Sequence, residues 1–115
     1  MTITTKLREA IFSRDGYRCV ACLTANSLTI QHRVSKGMGG SKKFDTPAFL
    51  ITMCLSCNIE LESNPEKAEL GRGNGWKLSR NAYPAIDPET VPVKMGQRWF
   101  YLDNQMNLTE MRNNA

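Results

Sequence analysis

The chain has 115 residues, 41% of them hydrophobic, with a formal charge of +4 and a pI near 9.0. That is the size of one small domain, and it is too apolar for a disordered chain. No apolar run approaches the ~20 residues of a membrane span, and Met1-Thr-Ile-Thr-Thr-Lys6 holds no apolar leader core. A cytoplasmic protein with reduced thiols is therefore expected.

The charge is unevenly spread. Residues 1–44 carry +6, residues 45–70 carry −4 and residues 71–115 carry +2. A basic first segment suits a polyanionic partner; the plainer reading is a solvated surface that keeps the chain soluble.

In chain order, Thr5 to Arg14 reads as an amphipathic helix with Leu7, Ala10 and Ile11 on one face and Phe12 beside it. Asp15-Gly16 ends it, and Arg8, Arg14 and Arg18 are expected along a basic edge. Tyr17-Arg18-Cys19-Val20-Ala21-Cys22 forms a first cysteine knuckle. Ser27 to Gln31 alternates polar and apolar residues and predicts a strand with His32, the only histidine, at its end.

Lys36 to Lys43 is glycine-rich and basic, able to bring backbone and three lysines close to phosphate, or else simply a solvated loop. It lacks the second element of a Walker loop. Phe49 to Met53 predicts a second strand antiparallel to the first. Leu55 to about Ser63 predicts a helix with Ile59 and Leu61 or Leu55 inward. Asn64-Pro65-Glu66 carries the marks of a new helix start, with Asn as cap and Pro in the first turn, running to Leu70 and ending at Gly71.

Gly71 to Gly75 reads as a flexible link. Beyond it, Trp76–Ser79, Thr90–Lys94 and Arg98–Leu102 are short β-prone runs, and the tail after Asn104 is expected to be frayed or weakly helical. Trp76, Trp99, Phe100 and Tyr101 fit either base stacking or core packing. The expected organisation is a unit over residues 1–71 with an extension over 72–115 packed on it as one globular body.

The four cysteines all lie in CxxC pairs, Cys19/Cys22 and Cys54/Cys57, with 31 residues between. Two such pairs place four soft thiolates around one tetrahedral zinc, and closed coordination of that kind is structural. Four buried reduced thiols or an iron–sulfur cluster are the alternatives.

In order and spacing, several stretches resemble the HNH endonucleases of the ββα-metal fold, above all small phage-borne members. They are Arg14 to Cys22, Ile30-Gln31-His32-Arg33, Gly37 to Ser41, Leu50 to Asn58 and Glu62 to Pro65, with Gly75-Trp76 and Asp87 to Val93 further on. A zinc held by four cysteines, with a Cys-Asn ending, is similar to the endonuclease VII arrangement. The resemblance implies an α+β fold: a zinc-stapled ββα unit with an N-terminal helix and short C-terminal strands.

It also implies a metal-dependent DNA endonuclease or nickase acting on duplex or branched DNA, in the host cytoplasm if phage-encoded. In that reading His32 is the general base and Cys19, Cys22, Cys54 and Cys57 hold structural Zn²⁺. Gln31 and Asn58 would bind a catalytic Mg²⁺ or Mn²⁺, while Arg33, Lys36, Lys42 and Lys43 contact nucleic acid.

Gln31 stands where the family usually has Asp or His, and Phe49 where it commonly has Asn. Glu60 and Glu62 are nearby carboxylates that could assist the cation. The competing expectation is a catalytically inactive member of the same frame that binds nucleic acid or a protein partner.

Overall fold

The structure is a computed structural model that describes residues 3–34, 42–81 and 84–111, with Lys42 and Lys43 described in their backbone only. Among the described residues it is a small α+β protein with three α-helices, one two-stranded and one three-stranded antiparallel sheet. None of its helices is long and apolar enough to cross a membrane. Lys36 and the glycines at 37, 39 and 40 lie outside the described residues.

Helix α1 (Thr5–Arg14) begins where the Thr4 hydroxyl accepts the Leu7 amide, and it buries Ile11 and Phe12. Strands β1 (Leu28–His32) and β2 (Leu50–Cys54) pair antiparallel, with Leu28 opposite Cys54 and His32 opposite Leu50. Both strands run one residue later than the sequence predicts. All five residues of β2 are buried, as its unbroken apolar run requires of a strand covered on both faces.

Helix α2 (Leu55–Ser63) follows β2 without a loop, and Cys54 is its N-cap. Its inward residue is Leu61, as expected; Ile59, expected inward with it, is 56% exposed, and Leu55, the alternative to Leu61, is 51% exposed. The reason is that α2 turns Asn58 toward β1 and Cys57 toward the other cysteines, which leaves the Leu55–Ile59 stripe on the far side.

Helix α3 (Pro65–Gly73) starts as predicted, the Asn64 side chain accepting the amides of Glu66 and Lys67 with Pro65 in the first turn. It runs past Gly71 instead of stopping there. A Cβ at Gly71 would lie 2.3 Å from Leu61 Cδ1, so this glycine is the contact that lets α3 close on α2.

The C-terminal sheet is β3 (Val93–Met95), β4 (Arg98–Leu102) and β5 (Leu108–Glu110). Trp76–Ser79 is not one of its strands, and the segment expected to be frayed or helical supplies the third. Trp76 is a core residue, and its indole N–H donates to the Lys94 carbonyl at 2.8 Å. Its buried neighbours include Cys19, Val20, Met53, Cys54 and Leu102. Cys19 and Cys54 are therefore part of the apolar core, with Cys57 packed against it.

Candidate metal centre and the His32 corner

The first knuckle projects from the turn after α1 and the second from the junction of β2 with α2. Backbone pairing brings them together: Val20 N–H donates to Thr52 O at 3.0 Å, and Leu55 N–H donates to Ser27 O at 2.8 Å. The Sγ atoms of Cys19, Cys22, Cys54 and Cys57 all lie within 4.8 Å of one another, and Cys22 Sγ is 3.8 Å from Cys54 Sγ. A tetrahedron with Zn–S bonds of ~2.3 Å has sulfur–sulfur edges of about 3.8 Å.

Each pair also carries the amide-to-sulfur bond of a tight knuckle, Cys22 N–H to Cys19 Sγ at 3.5 Å and Cys57 N–H to Cys54 Sγ at 3.4 Å. The second of these places the Cys54 sulfur at the N-cap of α2. Burial raises the Cys19 and Cys57 thiols above their ordinary pKa, while the Thr24 backbone hydrogen bond lowers that of Cys22. Four thiolates crowded this way need a cation among them, so the donor set fits a bound metal such as zinc.

His32 ends β1, half-open to solvent. Its Nε2 lies 2.9 Å from Asp45 Oδ1, with 24% and 14% of the two side chains exposed. Asp45 sits in the short 3-10 turn Lys42–Asp45. Nothing in the sequence singled it out, because the pairing spans 13 residues and depends on how the chain returns to β2.

The two amides expected to hold a catalytic cation are otherwise engaged. Gln31, 4% exposed, donates from Nε2 to the His32 carbonyl at 2.9 Å. Asn58 donates from Nδ2 to Thr29 Oγ1 at 2.9 Å, with the Ile30 carbonyl 3.5 Å away. The Thr29 hydroxyl has already given its proton to the Met53 carbonyl at 2.7 Å, so toward Asn58 it can only accept. Both side chains thus turn nitrogen, not oxygen, to their partners.

Carboxylates do not make up the difference. Glu62, one turn beyond Asn58 on α2, is paired with Lys77, and Glu60 faces a cavity of about 200 Å³ beside Cys22, Cys57 and Trp76. Among the described residues, the cysteines are the one group of three or more His, Cys, Asp or Glu side chains that converges on a point. Among the described residues, the Gln31 and Asn58 amides turn their nitrogens to the protein and do not present to it the hard oxygens that Mg²⁺ or Mn²⁺ prefers.

Arg33 does not contact a partner. It is 0% exposed, and its guanidinium donates to four backbone carbonyls: Gly75 at 2.8 Å, Ala48 at 2.8 Å, Pro88 at 3.0 Å and Val91 at 2.9 Å. Burial, and secondarily the charge on Arg14, pushes its pKa down to about 10, which leaves it charged at neutral pH. It is a bolt between β1 and the C-terminal segment.

Arg14 is likewise withdrawn from the expected basic edge. It pairs with Asp15 and donates to the carbonyls of Pro47 and Leu50. Phe49, in the position expected to hold Asn, packs edge-on against Phe44 with ring centroids 5.2 Å apart. Compared with family models, with curated proteins and with solved structures, the chain finds no match in any of the three.

Proposed function

We propose that this chain is an HNH-type nuclease, a zinc-stapled ββα unit that hydrolyses phosphodiester bonds in DNA with His32 as general base. The observation that carries the reading is the placement of His32. It is the only histidine, it ends the first strand of an antiparallel hairpin closed by four convergent cysteines, and its ring is tied to a carboxylate while still reaching solvent.

An imidazole is the side chain best suited to taking a proton near neutral pH. In the proposed step a water oxygen attacks phosphorus and its proton passes to His32. The bond to the leaving oxygen breaks, and that oxygen takes a proton from a second water. Cys19, Cys22, Cys54 and Cys57 would hold zinc in closed coordination, which would supply structural support to the hairpin and helix and no step of the reaction. Lys42 and Lys43, beside Asp45 in sequence, are proposed with Lys36 as phosphate contacts.

A second reading rests on a separate observation. The Gln31 and Asn58 amides both donate to the protein itself, and among the described residues the cysteines are the one group of three or more His, Cys, Asp or Glu side chains that converges on a point. Without an anionic ligand to hold a cation against the phosphate, the same frame would bind nucleic acid, or a protein, without cutting it.

Cleavage of supercoiled and branched DNA decides between the two, run with no metal, Mg²⁺ and Mn²⁺ beside His32→Ala. Nicking that disappears in His32→Ala, with zinc content and circular dichroism unchanged, supports the nuclease. Equal cutting by both proteins sinks it. Binding that weakens steeply with salt, without cutting under any metal, supports the second reading.

A further inference from the structure

We infer that Asp45 is the positioning residue of this site: it holds His32 in the Nε2–H tautomer and so assigns Nδ1 as the atom that takes up a proton. This role deepens the nuclease reading and rests on it for its consequence, but the geometry stands by itself. Asp45 Oδ1 is 2.9 Å from His32 Nε2, close enough for a charge-assisted hydrogen bond. A carboxylate has no proton to give, so the shared proton belongs to the ring nitrogen. In a neutral imidazole the other nitrogen must then be the acceptor.

Two further observations support a fixed ring. The backbone beneath it is braced: the His32 carbonyl accepts the Gln31 amide, Arg33 N–H donates to Phe49 O at 2.8 Å, and His32 lies opposite Leu50 in the hairpin. On the other side, the turn carrying Asp45 leads directly into the second turn, Pro47–Phe49, whose Ala48 and Pro47 carbonyls accept the buried Arg33 and Arg14. Both ends of the His32–Asp45 bond are thus tied to rigid backbone, which is the condition for one group to orient another. When the ring gains a proton, the adjacent carboxylate also steadies the resulting cation, so the bond does more than aim the ring.

The test uses the single histidine. In full-length, zinc-loaded chain labelled with ¹⁵N-histidine, the ring gives one pair of nitrogen resonances, so no assignment is needed. In the neutral form of the ring, the wild type is expected to show a protonated Nε2 and an unprotonated Nδ1. Asp45→Ala is expected to give averaged shifts from mixed tautomers. With zinc content and circular dichroism unchanged, DNA cleavage by Asp45→Ala should lose roughly 10- to 100-fold in kcat with KM within about twofold. Asp45→Glu, which keeps a carboxylate, should recover part of both signals.

The positioning role is overturned if the wild-type ring carries its proton on Nδ1, or if Asp45→Ala leaves the nitrogen shifts as they were. Failure of the two readings is separable. A ring fixed by Asp45 in a chain that cuts no DNA removes the nuclease and keeps the positioning role. A ring that is free in both proteins, in a chain that cuts, does the reverse.

Discussion

The Arg14 guanidinium and the Asp15 carboxylate form a two-point pair, Nε to Oδ1 at 2.7 Å and a terminal nitrogen to Oδ2 at 3.0 Å, with 2% and 0% of the side chains exposed. Neighbours in sequence seldom face each other in this way. Here α1 ends between them, and both turn onto the second strand and the turn before it. Arg14 then donates to Pro47 O and Leu50 O, and Asp15 Oδ2 accepts the Thr52 amide at 2.9 Å. The pair therefore welds the first helix to the strand that ends in Cys54.

Removing one partner should cost much more than an exposed ion pair would. Asp15→Ala leaves a buried guanidinium without its carboxylate and orphans the Thr52 amide, so a loss of about 3–5 kcal/mol is expected. Urea unfolding of the zinc-loaded protein measures it. A loss below about 1 kcal/mol would mean that water reaches this pair.

Arg33 carries a parallel prediction with a different discriminator. A lysine keeps the charge but cannot span four carbonyls set around a planar fork. Arg33→Lys should destabilise the protein by about 2–4 kcal/mol, through carbonyls of Gly75, Ala48, Pro88 and Val91 that lose charged donors. DNA affinity per folded molecule should stay within about twofold, because the side chain has no exposed surface. Denaturant unfolding and a salt-matched binding titration read the two effects separately. Weakened binding with unchanged stability would return Arg33 to the surface role that its place beside His32 suggests.

These two arginines show where sequence patterning stops being informative. Local signals served well. The Asn64 cap, the apolar run of the second strand and the paired CxxC spacing each depend on a few neighbouring residues and appear in the structure. What a charge does depends on which carbonyls the fold brings to it, and periodicity carries no record of that. The glycines were misleading for the same reason. Gly71 to Gly75 resembles a flexible link, yet Gly71 is pressed on Leu61. Gly75 has φ +78° with its Cα so close to Pro92 that a Cβ would lie 2.0 Å from the carbonyl oxygen. The His32–Asp45 bond was equally hidden, since aspartate near a short turn has no pattern of its own.

Metal removal tests the scaffold. A thiolate-bound structural zinc contributes on the order of 10 kcal/mol, comparable to the whole stability of a domain of this size. A strong chelator should therefore abolish cooperative unfolding and most near-ultraviolet dichroism, and one equivalent of Zn²⁺ should restore both. The pH dependence follows from the thiols. Burial raises Cys19 and Cys57, so protons compete with metal for these sulfurs up to a higher pH than for free cysteine. Zinc-held stability should accordingly rise with pH and disappear on acidification, as the thiolates are reprotonated. A chelated chain that keeps its melting temperature would show that the cysteines pack as plain thiols.

The Asn58 amide decides whether the corner between β1 and α2 can take a cation at all. Its Nδ2 donates to Thr29 Oγ1, an oxygen whose own proton is committed to Met53, and lies near the Ile30 carbonyl. Asn58→Asp replaces that donor with a negative acceptor facing two acceptors. In the presence of a chelator too weak to strip the thiolate zinc, the variant should be less stable than wild type by about 1–3 kcal/mol, while Asn58→Ala loses only about 1 kcal/mol. The same substitution puts an anionic oxygen beside Thr29 and Ile30, where the amide now turns its nitrogen, and a hard cation prefers such an oxygen. Millimolar Mn²⁺ should therefore raise the melting temperature of Asn58→Asp and leave wild type unmoved, as expected for a ligand that binds the native state alone. If Mn²⁺ stabilises wild type as well, the amides must turn their oxygens outward when metal arrives, and the cation would have a place in the reaction. If it stabilises neither protein, no cation binds at this corner, and Thr29 with Asn58 is simply the clasp between the first strand and the second helix.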